Sequence, residues 1–85
     1  MGFEIDYIAA ERSGCSSKLV IADRIFYVKL FSSEPSRFFS GDQKGVIQKE
    51  ISKAEFDLWL NILADNEIDV LDIQKKLGLG KKYFR

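Results

Sequence analysis

The 85-residue chain contains no histidine. That absence removes the commonest general base, the commonest metal ligand and every Ser–His or Cys–His catalytic pair. Cysteine occurs once, as Cys15, so no disulfide can close within the chain and no structural zinc site can be assembled. A lone cysteine suits a reducing compartment, and the expected location is cytoplasmic. Net charge is also absent, because thirteen basic side chains cancel thirteen acidic ones. The overall balance therefore favours neither a nucleic-acid binder nor an acidic mimic. No apolar run approaches the roughly 20 residues that cross a bilayer. The opening MGFEIDYIAA places Glu4 and Asp6 where a secretory signal needs an apolar core. Asp6 also stands where a myristoylation signal needs Ser or Thr. No membrane association is expected.

What is present is apolar and aromatic: 46% of the residues are hydrophobic and 13% aromatic. That is enough for a dense core in one small domain spanning residues 1–85. The strongest local signal is residues 52–63, SKAEFDLWLNIL. Ser52 and Glu55 have capping-box spacing, with Ile51 placed to staple onto Phe56. Phe56, Trp59, Leu60 and Leu63 recur at i, i+3, i+4 and i+7, which predicts an amphipathic helix. Leu58 and Ile62 widen the apolar stripe, so the helix should lie on a sheet. Trp59, mid-stripe, is expected as a buried anchor, with an exposed partner-binding hot spot as the alternative.

The first half reads as strands. Phe3, Ile5 and Tyr7 alternate with Glu4 and Asp6, which predicts a half-buried strand. Residues 12–17, RSGCSS, read as a loop. Residues 18–22 and 25–31 are strand-like, joined by a tight turn at Asp23-Arg24. IFYVKLF is apolar on both faces except at Lys29, as in a central covered strand. Pro35, the only proline, interrupts pairing. Phe38 and Phe39 belong to a short edge strand or an aromatic loop, and GDQKG at 41–45 is a turn. Residues 46–51 form a last strand with Ile47 and Ile51 on one face. A second helix is expected over 70–77, capped by Asp69, with Val70, Ile73 and Leu77 inward and Gly78 and Leu79 at its stop. Residues 65–67 connect the two helices, and the closing GKKYFR is either frayed or the start of a third short helix. The expected fold is α+β: an N-terminal antiparallel sheet of four or five strands packed by two C-terminal helices.

Candidate chemistry is sparse. Cys15, in its Gly/Ser loop near Arg12 and Lys18, has no base to activate it and is expected to be an ordinary exposed thiol. Asp65, Glu67, Asp69 and Asp72 have the spacing of a calcium loop. Val70 and Lys76 stand where that loop needs Gly and Glu. GLGKK at 78–82 lacks the glycine and hydroxyl of a phosphate loop, since positions 75 and 82 are Lys. No catalytic residue, cofactor or metal is expected.

Charge is segregated instead. Six acids and no base lie between Glu55 and Asp72; five bases and no acid lie between Lys75 and Arg85. Helix-dipole matching accounts for Lys75 and Lys76. It does not account for Lys81, Lys82 and Arg85 interleaved with Tyr83 and Phe84, a combination that can grip phosphates or stack on bases. DVLDIQKKLGLGKKYFR, residues 69–85, resembles the first helix and turn of a helix-turn-helix motif. That resemblance implies a second helix from Gly80, with Lys81, Lys82, Tyr83 and Arg85 on its DNA-facing side. Residues 12–28, RSGCSSKLVIADRIFYV, are similar to the opening of FLYWCH-type domains. The zinc-binding Cys and His of those domains are absent here, which implies a metal-free version of that topology. Two functions are expected. The first is a small cytosolic protein-interaction or regulatory module without enzymatic activity, its partner another protein. The alternative is a nucleic-acid-binding accessory protein using Lys75, Lys76, Lys81, Lys82, Tyr83, Phe84 and Arg85.

Overall fold

The computed structural model describes residues 2–42, 44, 46–64 and 68–79. Its elements run β1 (Phe3–Asp6), α1 (Tyr7–Arg12), β2 (Ser17–Ile21), β3 (Arg24–Lys29), β4 (Arg37–Gly41), β5 (Ile47–Ile51), α2 (Lys53–Leu63) and α3 (Val70–Lys76). The strands form one antiparallel meander in the order β1-β2-β3-β4-β5. The fold is α+β, a five-stranded N-terminal sheet followed by two helices.

β3 is the middle strand, and Ile25, Phe26, Tyr27 and Val28 are all buried. Since side chains alternate across a strand, both faces of the sheet must be covered there. On the inner face, Phe26 and Val28 join Leu19, Ile21, Phe38 and Ile51. This layer packs against Phe56 and Leu60 of α2 and against Ile73, Leu77 and Leu79 around α3. Phe56 meets Phe26 edge-on at 5.6 Å and stacks on Phe38 at 4.5 Å. On the outer face, Ile25 and Tyr27 cluster with Ala10 of α1 and with Cys15.

The helix boundaries follow from their caps. The Ser52 hydroxyl accepts from the Glu55 N–H at 3.0 Å, and the Asp69 carboxylate accepts from the Leu71 N–H at 3.0 Å. α3 stops at Gly78, whose φ is +87°. There the Leu79 N–H donates to the Gln74 carbonyl and the Gly78 N–H to Lys75, a Schellman closure.

Several expectations need correction. Tyr7 does not continue β1. It opens α1, because Asp6 accepts from the Ala9 N–H at 2.9 Å and caps the good helix formers Ala9-Ala10-Glu11-Arg12. β4 is an interior strand rather than an edge or loop. The β2–β3 turn is Ala22-Asp23, since Ile21 pairs with Arg24. Ile47 and Ile51 lie on opposite faces, because β4 advances one residue from Ser40 to Gly41 while β5 advances two, from Lys49 to Ile47. Gln48 is the extra, bulged residue, and it reverses the alternation.

On α2, Leu58 and Ile62 face solvent, at 59% and 60% exposure. Leu58 lies two residues, roughly 200°, from both buried anchors Phe56 and Leu60, and Ile62 lies the same distance from Leu60. Trp59 is half-buried at the edge of the core, where Arg24 covers its ring at 4.0 Å. Phe56 and Leu60, both 0% exposed, are the anchors instead.

Phe56→Ala should therefore cost about 3–5 kcal/mol in a denaturant titration, and Trp59→Ala clearly less. Equal losses would place Trp59 in the core. Ala22 holds φ +54° at the first position of its two-residue turn, a site that favours glycine. Ala22→Gly should raise stability by about 0.5–1 kcal/mol, read as a shifted denaturation midpoint.

Candidate interaction surfaces

The basic segment divides at the limit of the described residues. Lys81, Lys82, Tyr83, Phe84 and Arg85 lie outside them, as does the second helix implied by the helix-turn-helix resemblance. Lys75 and Lys76 are exposed in the last turn of α3. Lys76 is engaged: its ammonium lies 3.3 Å from the Asp72 carboxylate and 5.4 Å from the centre of the Phe3 ring, while its carbonyl accepts from the Tyr7 hydroxyl at 2.7 Å. These are the contacts of a helix end tied to β1 and α1. α3 itself has Ile73 and Leu77 in the inner core.

Cys15 is buried, not exposed as its Gly/Ser loop suggested. Ala10 and Tyr27 form its surroundings. Burial raises the thiol pKa above its ordinary value, with Lys29 opposing the shift. The thiol is thus held protonated and shielded, the reverse of an activated nucleophile. Among the described residues, no group of three or more His, Cys, Asp or Glu side chains could hold a metal ion. No described helix is long and apolar enough to cross a membrane.

Three surface features of the sheet and α2 stand out among the described residues. A groove of about 670 Å³ opens where α2 stops covering the inner face, with Phe26, Ser40 and Lys49 among its lining residues and Arg24, Glu55 and Trp59 at its sides. Its charges are mixed, and Arg24 already occupies the face of Trp59. On the outer face, Arg37 and Glu50 form a bidentate pair, with N–O distances of 2.8 and 2.5 Å. The pairing raises the arginine pKa and lowers that of the carboxylate. Both groups are exposed, so the pair adds little stability. The third feature is apolar: Leu58 and Ile62, one turn apart on α2, both open to solvent. Their sequence positions put them off the Phe56–Leu60 line, and that offset is the signal a wide-stripe reading overlooks. The Arg24–Trp59 contact joins residues 35 positions apart and leaves no local trace.

Comparison with protein-family models, with characterised proteins and with solved structures yields no match for this chain.

The buried thiol carries a pH consequence. Because the folded pKa is raised, the stabilisation is fully present below the ordinary thiol pKa of about 8.5 and is lost as pH rises through the folded value. Stability should thus fall above about pH 8.5 in the native chain, and Cys15→Ala should flatten that decline. Parallel pH profiles for the two proteins would contradict the burial.

Proposed function

We propose that the chain is a small protein-interaction or regulatory module without enzymatic activity, docking another protein through the solvent side of α2. One observation carries this reading. α2 already buries Phe56 and Leu60 against the sheet, yet it presents a second apolar row to solvent: Ala54, Leu58 and Ile62, spaced by four. Residues four apart are neighbours on a helix surface, and such a row is how a helix enters a partner's groove. Burying Leu58 and Ile62 would contribute roughly 1.5–3 kcal/mol each. The row is flanked by the Lys53–Asp57 ion pair, whose N–O distance is 2.8 Å. Exposed charge beside an apolar centre suits the rim of a docking face.

The test is affinity capture from the native host with three proteins: the native chain, the double variant Leu58→Glu/Ile62→Glu, and the control Lys49→Glu. The double variant should melt within a few degrees of the native chain, since both positions are solvent-facing. A partner retained by the native chain and the control, yet lost by the double variant, is the expected result. Identical capture by all three would refute docking through α2.

A further inference from the structure

A meander leaves two strand edges, here β1 and β5, and an unpaired edge is a template for another strand. The two are not treated alike. β5 carries the Gln48 bulge, which breaks the ladder. It also sets the exposed Lys49 on the inner-face side, at the rim of the groove beside Phe26 and Trp59. A bulge and a lysine on the strand both blunt an edge against pairing. β1 has neither. Its four residues pair with β2 in unbroken register, from Phe3 opposite Ile21 to Asp6 opposite Lys18. Its other side pairs with no described strand.

Beside that open edge lies a groove of about 480 Å³, bounded by Gly2, Phe3, Ile5, Tyr7, Ile68 and the Asp72–Lys76 pair. Phe3 and Ile5 are only half-buried and point to this inner side, whereas Glu4 and Asp6 lie on the outer face. We infer that β1 accepts an extended peptide segment of a partner protein, alternating apolar and basic residues, as a sixth strand. The backbone ladder would supply affinity, and alternate side chains the selectivity. Apolar side chains would enter the groove against Phe3 and Ile5. Those between them would stand beside Glu4, which is exposed, and Asp6, whose carboxylate also caps α1.

Charge disfavours a second copy of this chain as the occupant. An antiparallel β1–β1 pairing that keeps like faces together and joins at least three residues of each β1 sets Glu4 opposite either Glu4 or Asp6 of the other copy. Like charges directly opposite are destabilising. A basic segment converts the same positions into attraction.

This inference does not depend on the α2 row. The probes are two short fluorescein-labelled peptides, one alternating valine and lysine and the other valine and glutamate. They are titrated against the full chain by fluorescence anisotropy and followed by amide hydrogen exchange. The valine–lysine peptide should bind, slow exchange at residues 3–6, and bind at least about fivefold more tightly than the valine–glutamate peptide. Glu4→Lys, an exposed change, should narrow or reverse that preference. Leu58→Glu/Ile62→Glu should leave it untouched, so failure here and failure of α2 docking are separable. Binding without protection of residues 3–6, equal affinity for the two peptides, or self-association through β1 would overturn the proposal.

Discussion

β3 carries large apolar side chains on both faces, and the rest of the structure answers that constraint. Phe26 and Val28 demand a cover on one side, Ile25 and Tyr27 on the other. α2 and α3 supply the first with Phe56, Leu60, Ile73 and Leu77. The second is met by smaller means, Ala10 of α1 and Cys15. Tyr27 shows how tight the arrangement is. Its ring lies where a Cβ at position 41 would be, so only glycine fits on the neighbouring strand. Its hydroxyl reaches the Asp42 carbonyl at 3.4 Å, giving the buried ring a polar outlet.

The same constraint explains which surfaces are left over. With both faces committed at the centre, the unpartnered features sit at the periphery: the solvent row of α2, the strand edges, and the groove beside β1. The Gln48 bulge sends Ile47 to the outer cluster and Ile51 to the inner one. In doing so it shuts one edge while helping to fill both cores. As proposed, a helix row and a strand edge are surfaces of different kind, and together they would let the chain engage a folded partner and an extended segment at once.

Much of the fold was legible because its signals are local. The Ser52 and Asp69 caps, the Gly78 stop and the two-faced apolar run of β3 each occupy a few adjacent residues, and each stands where the residue types require. The unread parts depend on distance or parity. α1 was hidden because Tyr7 extends the alternation of Phe3 and Ile5, while the Asp6 cap that ends the strand looks like any outward acid. The bulge leaves no mark of its own, since Gln48 is an ordinary strand residue and only the partner register reveals it. Cys15 sits in a small polar loop, the composition of an exposed site, yet the loop folds under Tyr27. The candidate surfaces were less legible still. The basic run at Lys75 to Arg85 is conspicuous as composition. The open β1 edge, by contrast, is a property of strand order alone.

Among the described strands, β3 is the one buried on both faces and paired on both edges, whereas β1 pairs on one edge only. Native-state amide hydrogen exchange reads this directly, since protection reports the free energy of local opening. The amides of residues 25–28 should exchange only through global unfolding, with the same denaturant dependence as the whole chain. Those of residues 3–6 should exchange through smaller openings, with weaker dependence. Protection of β1 equal to that of β3 would contradict both the hierarchy and the open edge.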